Sequence, residues 1–350
     1  MKPLHLGDKC RPKDSKLALA CLWWKAIAGN DSSSPVHDYS LSYDLLPSVT
    51  RWVVSRRVCR LYPRLHHANV EIRTAYLDKA LTNVINTIMK DHDAASTAQQ
   101  NQPKKKIRLV VMGGGYDTRS IKLLEQSLLH QSADDVPRFD LLQKKHKSRR
   151  WHNRLLRRSK LNEDDNDATT GNAFLNITSN NYKLEAYELD LPEVVVAKKK
   201  LLSSRLFRRR PWLRHDQVEY PKLLEADFND INGTRKVLEG IILDDSGKDD
   251  VTNIILFEGV MIYLDKGMPH ALLELCSDVL RKSDKSDIAQ SSSTTPQALG
   301  YLCFADRLEN IPGGDEDAAN IEMESTGWEL IDFLSKPGLA RHMGVSRVVR

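Results

Sequence analysis

The segment from Ile107 to Leu129, IRLVVMGGGYDTRSIKLLEQSLL, constrains the fold more than any other. Its apolar run does not alternate with polar residues, which fits a strand buried on both faces. Three glycines follow, and then a helical pattern. Glycine lets the backbone turn sharply and lets a ligand approach the main chain. A strand, a glycine turn and a helix in that order require layers on both sides of a sheet.

The same alternation continues downstream. KLEAYELDL reads as a strand ending at Asp190, and PEVVVAKKKLLSSRLF as a helix with Pro192 in its first turn. VEYPKLLEADFND is a third strand-like piece ending at Asp227-Phe228. TNIILFEGVMIYL is the strongest strand, followed by the helix KGMPHALLELCSDVLRKS. LGYLCFADR is a fifth strand, and the tail ARHMGVSRVVR reads as a last edge strand. Repeated strand–helix alternation predicts an α/β fold with an open, mostly parallel sheet and helices on both faces. Upstream, residues 15–90 read as helical. Val70, Ile72, Tyr76, Leu77, Leu81, Val84 and Ile88 recur at helical spacing, and DHDAASTAQQNQPKKK reads as a linker. The expected organisation is a helical N-terminal cap over about 1–100 and a sheet domain over 101–350. A polar insertion at about 131–181 holds little to build a core from and reads as loosely ordered.

Composition narrows the class. Hydrophobic residues make up 41% and charged residues 28%, ordinary values for a globular chain. No run of about 18 apolar residues suggests a membrane helix. Basic residues precede the apolar run Leu17–Trp24, which superficially fits a secretory signal or an organellar transit segment. The run is short and Lys25 closes it, so an amphipathic first helix is the favoured reading. Cysteines at 10, 21, 59, 276 and 303 form no C-x-x-C pair. That argues against a zinc site or a disulfide framework and for a reducing compartment such as the cytoplasm. The net charge of +5 comes from one place: residues 144–160 carry nine Lys or Arg and no acid. Without them the chain is mildly acidic, so the charge argues against nucleic acid as the partner of the fold itself.

Ligands of open α/β sheets bind beyond the carboxyl ends of the strands. The unusual residues gather there. The first strand ends at Gly113-Gly114-Gly115, the second at Asp190 and the third at Asp227; the fourth carries Glu258 inside an apolar run. An unpaired carboxylate in such a run is costly, so Glu258 calls for a partner or a ligand. Asp190 has a competing reading as the cap of the helix at DLPE. Together these groups suit an adenosine-containing ligand with a positive charge: one acid for the ribose hydroxyls, one for the adenine amine, others for an ammonium group. The nicotinamide fingerprint fails, because its third glycine position holds Thr118 and Asp190 lies far beyond the usual spacing. No G-x-x-x-x-G-K-[ST] loop is present. S-adenosylmethionine, which has no pyrophosphate, fits the looser turn.

These motifs resemble those of the S-adenosylmethionine-dependent methyltransferases of the leucine carboxyl methyltransferase superfamily, in their plant and bacterial-type branch. The resemblance covers roughly residues 15–128 and 182–350. It implies a Rossmann-like class I methyltransferase fold with a seven-stranded sheet. IRTAYLDKAL resembles the helix whose arginine, here Arg73, reaches the cofactor carboxylate. VVMGGGYDTRSIKL resembles the cofactor turn and implies binding by Gly113, Gly115 and Asp117. Gly114 stands there where the family usually has alanine. YELDLPEVVVAKKKLL implies a ribose site at Asp190 and Leu191, and EADFND an adenine site at Asp227 and Phe228. ILFEGVMIYLD implies that Glu258 lies near the cofactor amino group or the acceptor.

Methyl transfer from a sulfonium needs alignment and exclusion of water. A leucine carboxylate at a chain terminus ordinarily titrates at about 3.3–3.7, so it is already ionised at neutral pH and needs no general base. Arg73 and Tyr263 are the candidates for orienting the acceptor, whereas His37, His66, His67 and His342 read as surface or packing residues. The expected acceptor is a protein C-terminus or a small-molecule carboxylate, with no metal and no membrane. Two readings compete: a small-molecule O-methyltransferase, and a non-catalytic member that binds an acidic partner through the basic insertion.

Overall fold

A computed structural model describes residues 12–28, 40–55, 64–96, 105–124, 182–209, 221–243, 251–283, 298–308, 315–336 and 341–349. The insertion at 131–181, with its basic run, lies outside the described residues. So do His37, Cys10 and Cys59, and the side chains of His66 and His67.

Four helices come first: α1 (Pro12–Ala28), α2 (Ser40–Leu45), α3 (Ser48–Ser55) and α4 (Arg64–Ser96). The sheet then begins with β1 (Lys105–Met112) and the helix α5, described over 119–124. It continues with β2 (Tyr182–Asp190) and α6 (Pro192–Leu201), which runs on through a π turn at Leu202–Leu206. Next are β3 (Lys222–Glu225), α7 (Ile231–Ile242), β4 (Val251–Glu258) and a 3₁₀ turn at Met261–Tyr263. The remainder is α8 (Met268–Ser283), β5 (Ala298–Asp306), α9 (Glu316–Ser325), β6 (Glu329–Lys336) and β7 (Arg341–Val349).

The seven strands lie in the order β3-β2-β1-β4-β5-β7-β6. β1 to β5 are mutually parallel, and β7 runs antiparallel to both neighbours. This is an open, mostly parallel α/β sheet of Rossmann-like winding. The chain starts in the middle of the sheet at β1, goes outward to β3, and returns to β4 on β1's other side. The carboxyl ends of β1 and β4 therefore flank the switch in winding direction, where such sheets form a crevice.

The unbroken apolar runs follow from burial on both faces. In β1, Val110 and Met112 join a core with α7, α8 and α9, whereas Ile107, Leu109 and Val111 join a core with α4. Ile255 and Phe257 of β4 split from Ile254 and Leu256 in the same way. The apolar stripe of α4 (Leu77, Leu81, Val84, Ile85, Ile88) thus packs directly on the sheet. A third cluster gathers Leu22, Ile27, Leu41, Leu45 and Val54 of α1–α3 over Tyr116 and Ile121 beside the glycine turn, and over Leu202 and Leu206 of the π turn.

Three expectations need correction, and one strand comes in addition. The helix α4 continues to Ser96, so DHDAAS is helical rather than linker. The run TNIILFEGVMIYL is not one strand. β4 stops at Glu258, Gly259 takes φ 65°, and Met261–Tyr263 form a 3₁₀ turn. The tail ARHMGVSRVV is not an edge: β7 sits between β5 and β6, and β6 is the edge strand on that side. The sixth strand, in ELIDFLSK, was not singled out in the sequence. The interior position of β7 makes Gly344 a tight site. A Cβ there would lie 2.5 Å from the Phe304 ring and 2.8 Å from the Asp332 carbonyl oxygen. Gly344→Ala is expected to destabilise by about 1–3 kcal/mol through overpacking. Urea unfolding with an unchanged midpoint would contradict this packing.

Candidate cofactor site

The turn after β1 is built from backbone geometry. Gly113 and Gly115 adopt φ 65° and 47°, the left-handed region that favours glycine. The amides of Gly113 and Gly114 donate to the Leu189 carbonyl at 2.8 and 3.3 Å, which ties the turn to β2. A side chain on Gly113 would collide with Val260 in the turn after β4. The turn is therefore wedged between the ends of two neighbouring strands.

Asp190 closes β2 against this turn. Its Oδ2 accepts the Gly115 amide at 2.6 Å and its Oδ1 the Leu191 amide at 2.8 Å. The N-cap of α6 is Leu191 and no side chain caps the helix, so the capping reading of Asp190 is set aside. Burial pushes the Asp190 carboxyl upward, opposed by those two amides. Farther out, Asp227 is exposed and accepts the Asn229 amide at 3.0 Å. Phe228 is buried in the core cluster that includes Leu189 and Met261.

The densest chemistry surrounds Glu258 at the end of β4. Its Oε1 accepts Arg73 Nε at 2.8 Å and Thr74 Oγ1 at 3.4 Å. Its Oε2 accepts Lys25 Nζ at 2.9 Å and a short hydrogen bond from Arg119. Arg119 also bonds Asp78 through Nε at 2.6 Å and Asp117 through a terminal nitrogen. Lys25 lies 3.3 Å from Asp117. Three cations from α1, α4 and α5 thus meet three carboxylates, all nearly buried. Burial alone would raise the Glu258 carboxyl. Arg119, Lys25 and Arg73 outweigh it and hold the group well below the usual carboxylate range. Asp117 is lowered against burial in the same way, chiefly by Arg119 and Lys25.

The fold brings Arg73, Asp117 and Glu258 into this one cluster and sets Gly113, Gly115, Asp190 and Leu191 beside it. Asp227 does not end a strand as expected: β3, the next strand outward, stops at Glu225, and Asp227 lies two residues beyond it. Tyr263 sits 41% exposed on the 3₁₀ turn beyond β4. Four participants were not singled out in the sequence: Lys25, Asp78, Arg119 and Asp306. Asp78 left a trace, being a charge one helical turn after Thr74 on a mainly apolar face of α4. Asp306 ends β5 and is 1% exposed. It accepts the amides of Val260 and Met261 at 2.5 and 3.0 Å, which fixes the start of the 3₁₀ turn.

Among the described residues, no group of three or more His, Cys, Asp or Glu is arranged to hold a metal ion. Nor is any of the described helices long and apolar enough to cross a membrane. Cys276 and Cys303 are free and buried, and burial pushes the Cys303 thiol up to about 12. His342 is 3% exposed, accepts the Leu308 amide through Nδ1 at 3.1 Å and stacks on Phe333, a packing role.

No protein-family model matches the chain, and no curated protein matches it. Several solved structures are similar in outline. Magnesium protoporphyrin IX methyltransferase (ChlM) from Synechocystis PCC 6803, with bound SAH, is 12% identical. The match covers 84% of this chain and 93% of that one, at a TM-score of 0.33. LepI in complex with SAM is 10% identical over 74% of this chain, at a TM-score of 0.29. The chain spans about half of LepI, 46% of its length. A possible exported protein from Bordetella parapertussis is 11% identical over 97% of this chain and 99% of that one, at a TM-score of 0.34. These scores describe loose overlap. The strand order and the charge cluster are properties of this chain itself.

Glu258 supplies a pH test. A carboxylate depressed by folding adds stability above its unfolded value, near 4.5, and loses it as pH falls through the lower folded value. Glu258→Gln should lower stability at pH 7 by about 3–5 kcal/mol, because it leaves buried cations uncompensated. It should also flatten the acid limb of a melting-temperature profile below the unfolded value of 4.5. An acid limb identical to that of the parent would remove Glu258 from the cluster.

Proposed function

We propose that the protein is an S-adenosylmethionine-dependent methyltransferase whose acceptor is a carboxylate, like the leucine carboxyl methyltransferases it resembles. The observation that carries this reading is the convergence of the glycine turn, Asp190 and the Arg73–Glu258 pair at the winding switch between β1 and β4. The cradle suits the cofactor. Left-handed glycines leave the turn open to close approach, Asp190 supplies a carboxylate for ribose hydroxyls, and the cluster supplies both signs of charge for an amino acid end. Gly113, Gly115, Asp190 and Leu191 would hold the nucleoside, with Asp227 toward the adenine. Arg73, Asp117 and Glu258 would hold the methionyl carboxylate and ammonium. When bound, the cofactor supplies an electrophilic methyl group.

What this chain contributes is position and charge rather than proton transfer. Glu258 and Asp117 are depressed carboxyls and therefore weak bases. His342 is occupied by the Leu308 amide, and the Cys303 thiol is pushed far above neutrality. A hydroxyl acceptor would have to lose a proton, whereas a carboxylate arrives ionised. This favours the carboxylate. Arg73 and Tyr263 are the groups proposed to orient it, Arg73 from the cluster and Tyr263 from the exposed 3₁₀ turn.

Isothermal titration should show micromolar binding of S-adenosylmethionine and its demethylated product, and none of NAD. Asp190→Ala should weaken that binding at least tenfold, matching the loss of hydrogen bonds to a charged group at roughly 1.5–3 kcal/mol. Radiolabelled methyl transfer should then mark a peptide ending in a free leucine carboxylate and spare its amide. Label in extractable metabolites would point instead to a small-molecule acceptor. Binding without any turnover would support a non-catalytic role.

A further inference from the structure

A second buried ion pair lies behind the glycine turn and has no part in the chemistry above. Glu188 of β2 and Lys198 of α6 are each 2% exposed and paired with one another. Ser120 of α5 donates to the other oxygen of Glu188. Lys198 Nζ also donates to the backbone carbonyl of Asp117 at 2.7 Å. The pair lies against the turn: a Cβ on Gly114 would sit 3.1 Å from Glu188 Oε2. The fold buries Lys198, which shares a helical stripe with Val194, Val195 and Leu202, and leaves Lys199 and Lys200 exposed.

A buried Lys–Glu pair is poor evidence for stability, because desolvation offsets most of the attraction and apolar replacements are often neutral. Its placement suggests another use. Lys198 reaches across from α6 to the carbonyl of the residue whose carboxylate binds Lys25 and Arg119. It therefore fixes the peptide plane where the cofactor turn passes into α5. Burial is the largest influence on the carboxyls of both Asp117 and Asp190, and the Lys198 charge opposes it at each.

We propose that Lys198, seated by Glu188, is a positioning residue for the cofactor turn, orienting the Asp117 peptide from behind the site. This rests on the reading of that turn as the S-adenosylmethionine site.

The experiment compares S-adenosylmethionine affinity with thermal stability in four variants. Lys198→Met should weaken affinity at least tenfold, and Lys198→Arg should retain it within about threefold. Lys199→Met, at the exposed neighbour, should change neither quantity. The double variant Glu188→Met/Lys198→Met replaces the pair with apolar side chains of similar length. It should melt within a few degrees of the parent yet still bind at least tenfold more weakly. Affinity that recovers along with stability in the double variant would overturn the proposal and leave the pair a packing element. If the double variant does not fold, the comparison of Lys198→Met with Lys198→Arg decides, and equal affinities would overturn it. A parent protein that binds no S-adenosylmethionine would instead remove the underlying reading of the site.

Discussion

The structure depends on a carboxylate placed where a sheet cannot leave it unpaired. Glu258 ends the central strand β4, directly after an apolar run buried on both faces. A lone charge there would be expensive to desolvate. The fold answers with Lys25 from α1, Arg73 from α4 and Arg119 from α5. Those contacts do more than neutralise Glu258. They set where the first helix lies, how α4 meets the sheet's carboxyl edge, and how the helix after the glycine turn begins.

The balance of charges in this cluster shapes what it can do. Three cations face Asp78, Asp117 and Glu258, so the groups are compensated and the two lowered carboxyls are poor proton acceptors. In the proposed reading, a zwitterionic amino acid end would meet this cluster with its anion toward Arg73 and its cation toward Glu258. Around it, rigid supports hold the turns: Asp190 on the Gly115 amide, Asp306 on the amides of Val260 and Met261, and Lys198 on the Asp117 carbonyl. Fixed dipoles and charges suit a reaction that needs alignment more than acid–base chemistry.

Some of this was legible in the chain. β1, β4 and β5 announce themselves as apolar runs bounded by glycines or acids, because both their faces are covered. Glu258 stands out as a charge set against such a run, and Asp190 as the acid that closes β2. β6 was not legible. Ile331 and Leu334 are exposed on this edge strand, and ELIDFLSK shows no clean alternation. The interior place of β7 was hidden for another reason: which strand a C-terminal segment inserts beside is decided by pairing with β5 and β6, not by its own residues. The end of β4 was also overrun, because Val260 and Met261 are as apolar as a strand while Asp306, from β5, turns their amides into a 3₁₀ turn.

By itself, the sequence determined the alternating α/β architecture, the glycine turn and the carboxylates at the strand ends. Those are properties of local patterns and of residue types that tolerate few alternatives. Only the tertiary structure decided which cations meet Glu258. Lys25 is 233 positions away from it and Arg119 is 139. It also decided that Asp190 braces the turn instead of capping a helix. Ion pairing and desolvation depend on distance in space, and a one-dimensional pattern does not carry that distance.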